Sequence, residues 1–146
     1  MNQEDRKEWM GLFARAPQGK VAALLANANL ASEFEWLRKP EIGSVMLRGR
    51  AGAVGAPFNL GEMTVTRCSL RLPNGEVGHG YVQGRDKDAA QSAALADALL
   101  QTDAASDISQ QILLPLRTAE FEKKKNRAEK AASTKVEFFT MARGED

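Results

Sequence analysis

Asn74-Gly75, placed between two alternating segments at residues 62–72 and 76–83, constrains this chain more than any other pair of residues. Both residues tolerate positive φ, so the pair favours a tight turn whose twist matches that of the flanking strands, and an antiparallel hairpin is expected. With Asn74 and Gly75 as a two-residue loop, Leu72 faces Val77, Leu70 faces His79, Cys68 faces Tyr81 and Thr66 faces Gln83. On the other side Arg71, Ser69 and Arg67 face Gly78, Gly80 and Val82. Glycine weakens a strand, so its use at 78 and 80 needs a reason. Either a backbone or a ligand approaches the sheet there, or the arginines lie along it to pair with acids elsewhere. His79, the sole histidine, is expected to be packed on the more apolar face. No carboxylate or nucleophile can be placed beside it, so no catalytic residue is assigned.

The rest of the chain supplies helices and further strands. Trp9, Leu12 and Phe13 fall at helical spacing, in a helix that should stop before Pro17. A second helix begins at or just after that proline and carries Val21, Leu24, Leu25 and Ala28. Trp9 and Trp36 are expected to pack rather than stack on a ligand. Phe34 with Trp36, and Val45 with Leu47, show period-2 patterning on either side of Pro40 and Gly43. The alanine-rich stretch 88–100 has high helix propensity and small side chains that allow close approach to a sheet. Pro115 opens a helix with a thin apolar stripe, which suggests an arm that stays exposed or is covered by partners. Residues 134–144 then alternate as an edge strand, insertable into another chain or buried in the home sheet. The expected class is α+β: an N-terminal helical hairpin, an antiparallel sheet of about four strands covered by helices, and a C-terminal helix and strand arm. Residues 1–146 are read as one domain, with 115–146 as the arm.

Composition excludes several classes. Hydrophobic content of 43% and charged content of 27% over 146 residues fit a soluble chain able to bury one core. No apolar run approaches the ~20 residues that span a bilayer. The polar start, MNQEDRKEWM, lacks a hydrophobic signal core and points to the cytoplasm. Cys68 is alone, so neither an intrachain disulfide nor a Cys/His zinc site can be assembled, and no metal ligand is assigned. Magnesium held by oxygen ligands stays open. A net charge of +1 speaks against a general nucleic-acid binder. The charge is unevenly spread, however: residues 88–114 carry four acids and no Lys or Arg, and residues 115–135 carry seven basic and three acidic side chains.

Residues 81–87, Tyr-Val-Gln-Gly-Arg-Asp-Lys, run from a strand through a glycine into the alanine-rich helix. A helix starting near Asp86 presents free N–H groups while Arg85 and Lys87 add positive charge, an arrangement able to hold an anion. The same pattern serves a plain strand-to-helix turn with Asp86 as N-cap. Arg48 and Arg50 share a strand face before the small-residue loop 51–57, which lacks the lysine and Ser/Thr of a phosphate loop.

Three segments together resemble the PhnG family, subunits of the bacterial carbon-phosphorus lyase core complex: Val82-Gln83-Gly84-Arg85-Asp86-Lys87, the Thr66-Arg67 strand with its polar-Gly hairpin, and Val136-Glu137-Phe138-Phe139-Thr140-Met141-Ala142-Arg143-Gly144. The resemblance covers nearly the whole chain, including the Trp9-Met10 helix. It implies a subunit of a hetero-oligomer that works with companion core subunits and an ATPase-like component on MgATP and an alkylphosphonate. Adenine is displaced from the ribose, giving an alpha-D-ribose 1-alkylphosphonate 5-triphosphate. Carbon-phosphorus cleavage follows on another subunit carrying an iron-sulfur cluster. It further implies no cofactor bound by this chain alone, no nucleic acid and no membrane. Arg67, Gln83, Gly84, Arg85, Asp86 and Lys87 become substrate-binding candidates, and Val136, Phe138, Phe139, Met141 and Arg143 partner-binding candidates. Beside this stands an independent nucleotide- or RNA-binding α/β module using the Gly84–Lys87 turn or the basic arm.

Overall fold

The computed structural model describes residues 3–30, 32–50 and 55–143, with side chains at all of these but Arg50 and 137–143. Helices α1 (Gln3–Arg15) and α2 (Lys20–Asn27) precede strands β1 (Glu35–Arg50), β2 (Pro57–Arg71) and β3 (Val77–Gln83). Helix α3 (Lys87–Leu99) and the short α4 (Ala105–Ile108) follow, then a π-helical turn (Ser109–Leu113) and α5 (Leu114–Arg143). The class is α+β, as expected, but the antiparallel sheet has three strands in the order β1-β2-β3 rather than about four. Trp36 and the segment at 45–47 are parts of one strand, with Phe34 just before its start. Pro40 does not divide it, because β1 lies at the sheet edge, where a missing N–H costs no ladder bond and register shifts between Trp36 and Glu41 absorb the distortion.

The turn at Asn74 corrects the expected register by one residue. Gly75 N–H donates to Leu72 O at 2.9 Å and Leu72 N–H to Glu76 O at 2.8 Å, so the loop is Pro73-Asn74-Gly75, with Gly75 at φ +98°. Arg71 therefore pairs with Val77, Leu70 with Gly78, Ser69 with His79, Cys68 with Gly80, Arg67 with Tyr81 and Thr66 with Val82. One residue of slip moves each side chain of β3 to the other face. His79 is consequently exposed rather than packed on the apolar face.

That slip also explains the glycines. Leu70, Cys68 and Thr66 share a buried face with Gly78 and Gly80, and α3 lies directly on it. A Cβ at Gly78 would overlap the carbonyl oxygen of Ala94 and stand 2.8 Å from Ala98 Cβ, while one at Gly80 would overlap the carbonyl oxygen of Ala90. Ala90, Ala94 and Ala98 form an i, i+4, i+8 stripe, so helix backbone seats on strand backbone with no side chain between them. The core continues from there through Leu95 and Leu99 to Trp9, Leu12 and Phe13 of α1, Val21 and Leu25 of α2, and Ile108, Ile112 and Leu116 near the start of α5.

The C-terminal segment departs from expectation. Residues expected as a strand, Val136, Phe138, Phe139, Met141 and Arg143 among them, continue α5. The strong helix formers from Glu122 to Ala132 carry the helix onward, and no Gly or Pro interrupts it before Gly144. Pro115 falls just after the π-helical turn, where its missing donor is accommodated by the wider backbone. From Phe121 to Val136 every side chain is exposed.

Candidate functional site

Gly84 makes the turn from β3 into α3 at φ +91°, and it is locked from both sides. Its N–H donates to Thr64 O at 2.9 Å and its carbonyl accepts from Thr66 Oγ1 at 2.7 Å. Asp86 then acts as N-cap, its carboxylate accepting from the Ala89 N–H at 3.0 Å. The carboxylate thus satisfies one helix-end donor and neutralises part of the positive field there.

The turn borders a cleft of about 650 Å³, whose far side is the α1–α2 connection from Phe13 to Ala22. Gln83, Gly84, Arg85, Asp86 and Lys87 all line it, so five of the six substrate-binding candidates come together. Arg67 does not join them. It lies on the opposite, open face of the sheet, where it reaches Glu41 at 3.4 Å, next to Arg71 paired with Glu35 at 2.8 Å. Both arginines thus meet acids on β1, one of the two alternatives open in the sequence. The small-residue loop near Arg48 falls largely on 51–54, outside the described residues. Of the partner-binding candidates, Val136 is exposed, while the side chains of Phe138, Phe139, Met141 and Arg143 lie outside those described.

On the open face Ser69 Oγ and His79 Nδ1 are 2.8 Å apart. The pair sits on an exposed sheet surface between the two arginine-acid pairs and lines neither the Gln83–Lys87 cleft nor its neighbour under α5. Among the described residues no group of three His, Cys, Asp or Glu is arranged to hold a metal ion, and no helix is long and apolar enough to cross a membrane.

Sequence reading missed Asp97. Wholly buried on α3, it accepts from Arg6 Nε at 3.2 Å and Trp9 Nε1 at 2.7 Å on one oxygen. The other oxygen accepts from Arg6 NH2 and from the His79 backbone N–H, both at 2.8 Å. The hydrogen bond to Asp97 raises the Arg6 guanidinium above its ordinary value, against the opposing effect of burial. One carboxylate thus ties α1, α3 and β3 together. The available signal was an acid at a core-facing position of an alanine-rich helix.

Cys68 lies under α3 at 2% exposure, and burial pushes its thiol from an ordinary 9.0 up to about 11, moderated by a hydrogen bond with the Gly80 backbone. The fold therefore holds this proton to higher pH than the unfolded chain does. As pH rises from about 9 toward 11, stability falls by up to about 2 kcal/mol from this group, and below that range the group contributes no slope. The stability difference between parent and Cys68→Ala should accordingly shrink between about pH 8 and about pH 10.5 in urea titrations. A pH-independent difference would contradict the burial of the thiol.

Residues 4–144 match the family described as phosphonate metabolism protein PhnG. A relative from Rhizobium meliloti (strain 1021), named alpha-D-ribose 1-methylphosphonate 5-triphosphate synthase subunit PhnG, is 46% identical over 142 residues, covering 97% of this chain and 90% of that protein. With a match across nearly its full length, and with the Gly84–Lys87 turn and the tail both inside it, the chain belongs to the PhnG family of phosphonate metabolism proteins.

Proposed function

We propose that this chain is a non-autonomous subunit of the carbon-phosphorus lyase core complex, which displaces adenine from ATP with an alkylphosphonate to form an alpha-D-ribose 1-alkylphosphonate 5-triphosphate. The observation that carries this reading is the 46% identity to a named synthase subunit over 97% of the chain. The chain works in the cytoplasm, binds no cofactor of its own, and meets MgATP and alkylphosphonate only as substrates of the assembly. It forms one domain whose segment 115–146 engages partners. An independent nucleotide- or RNA-binding module gains no support from the family.

The surface supports incompleteness on physical grounds. The chain exposes 10069 Å² at a mass of 15.9 kDa. A compact monomer of that mass exposes about 7,400 Å². The excess of roughly 2,700 Å² exceeds the ~800 Å² that a standard interface takes from each partner. Two features contribute to it. One is α5 beyond Phe121. The other is the β1–β2 ribbon, which runs on past Val65, the last β2 residue paired with β3. There Met46, Leu47, Phe58 and Leu60 stand exposed, Leu60 at 63%. A two-stranded ribbon is marginal by itself, and open edges flanked by apolar side chains invite pairing. Companion subunits cover this ribbon and the end of α5.

The chemistry divides accordingly. A phosphonate oxygen must reach the sugar of a triphosphate-bearing nucleotide, so negative charge has to be offset by fixed cations. Arg85 and Lys87, at the cleft rim, serve that purpose. The departing adenine needs a proton donor, and the Ser69-His79 pair does not line the cleft that holds Arg85 and Lys87, so the proton-transfer groups are assigned to a partner.

In a co-expressed complex, Phe58→Ser with Leu60→Ser, and separately Phe138→Ala with Phe139→Ala, should abolish co-purification with the companion synthase subunits. The isolated variants should melt within about 2 °C of the parent, since surface changes cost little. Unaltered assembly of both variants, or synthase turnover by the lone chain, would sink the reading.

A further inference from the structure

A second cleft, of about 540 Å³, adjoins the first: Ala16, Pro17 and Gln83 line both. Its outer wall is the start of α5. Leu116, Ala119, Glu120, Lys123, Lys124 and Arg127 fall at i, i+3, i+4, i+7, i+8 and i+11, one face of that helix, turned toward Arg15 at the end of α1. The two clefts are therefore halves of one trough, divided by a proline and a neutral amide.

The trough's charges are unequally used. Glu120 is engaged by Arg15 at 3.1 Å and by Lys124 at 3.8 Å, and Asp86 caps α3. Arg85 and Lys87 in one half, and Lys123 and Arg127 in the other, have no ion-pair partner among the described residues. Asp88 is the one lining acid left to offset them. Four unpaired cations, two in each of two adjoining clefts, match a long anion better than a compact one. A single phosphate satisfies one cleft only. A linear polyphosphate reaches both, and each further charge met by a cation adds to its affinity.

We propose that this trough binds the polyphosphate arm of the nucleotide, with Lys123 and Arg127 of α5 holding one end and Arg85 and Lys87 the other. The proposal rests on the synthase reading for the identity of the nucleotide, but not for the existence of the site. Gln83, at the junction, supplies an amide for the middle of the chain. The segment of α5 that leaves the body of the fold thus has a ligand-facing side as well as a partner-facing end.

Inorganic tripolyphosphate titrated into the full-length chain by calorimetry is the direct probe. Saturable binding is expected at low salt, at least tenfold weaker in Lys123→Ala with Arg127→Ala, with a flatter dependence on salt. Lys125→Ala removes the same type of charge from α5 but lies outside the cleft lining, and should change affinity less than twofold. Orthophosphate should bind at least tenfold more weakly than tripolyphosphate. Equal weakening by Lys125→Ala would reduce the site to diffuse attraction by the arm and overturn the proposal. So would an unaffected double variant, absence of saturable binding, or loss of partner co-purification in place of loss of tripolyphosphate. If the site binds as expected in a chain that never joins synthase subunits, the functional reading fails and the site stands. If the assembled complex turns over with an unchanged KM for ATP in the double variant, the synthase reading stands and the site fails.

Discussion

Gly78→Ala and Gly80→Ala should each cost about 3 kcal/mol or more, at the upper end of overpacking penalties, because the added methyl meets a helix carbonyl and not a movable side chain. At Gly78 the methyl overlaps Ala94 O with Ala98 Cβ at 2.8 Å, and at Gly80 it overlaps Ala90 O with Cys68 Sγ at 3.0 Å. A side chain yields by changing rotamer, whereas these oxygens are fixed by the internal bonds of α3, so the helix must lift from the sheet as a body. Lifting it strips cover from Leu70, Cys68 and Val82 together, and those residues form the centre of the core. The shift in melting temperature at this chain length is roughly 6–12 °C. Gly43→Ala provides the control, since a Cβ there meets nothing within 4 Å and β1 backbone tolerates it, and it should melt within about 2 °C of the parent. If Gly78→Ala behaves like Gly43→Ala, helix α3 does not lie on β3 in the manner described.

The same glycines show what a sequence can and cannot convey. Their presence in a strand announces a close approach, and the alanine stripe at 90, 94 and 98 announces a thin helix, yet the register that joins the two depends on one residue of loop length. Asn74-Gly75 favours a two-residue loop locally, but Leu72 and Glu76 pair beyond it and enclose Pro73 as well. Element ends marked by local chemistry were legible: α1 stops at Arg15 before Pro17, and α3 starts behind the Asp86 cap. The tail misled because Lys135-Val136-Glu137-Phe138 alternates over four residues, too short a stretch to outweigh the helical run that feeds into it. The turn at Gln83–Lys87 was legible from the strand, glycine and cap alone. The cleft beside it and its extension along α5 were not, because bringing residues 13–22 and 116–127 up to the turn is a product of packing.

Loss of the Asp97 carboxylate is expected to be as damaging as the glycine substitutions, and it tests a different link. All four contacts to Asp97 come from donors, two of them from the Arg6 guanidinium, so the buried oxygens have no competing acceptor to repel them. Asp97→Ala leaves the Trp9 indole N–H and the His79 backbone N–H without a partner and strands a half-buried guanidinium. Breaking a buried pair from one side costs about 3–5 kcal/mol. Asp97→Asn keeps the shape but offers one acceptor oxygen, so its amide nitrogen must face either Trp9 with Arg6 Nε or His79 with Arg6 NH2, for a cost of about 2–4 kcal/mol. Trp9→Phe removes one neutral donor and leaves its acceptor still bound to Arg6, for about 1 kcal/mol from the hydrogen bond. Urea unfolding of the three variants should rank Ala above Asn above Phe in lost stability. Because α1 borders both halves of the trough, hydrogen exchange in Leu12–Arg15 should quicken in the same order. A Trp9→Phe variant as unstable as Asp97→Ala would place the weight on indole packing and remove the carboxylate from its role as the tie between α1, α3 and β3.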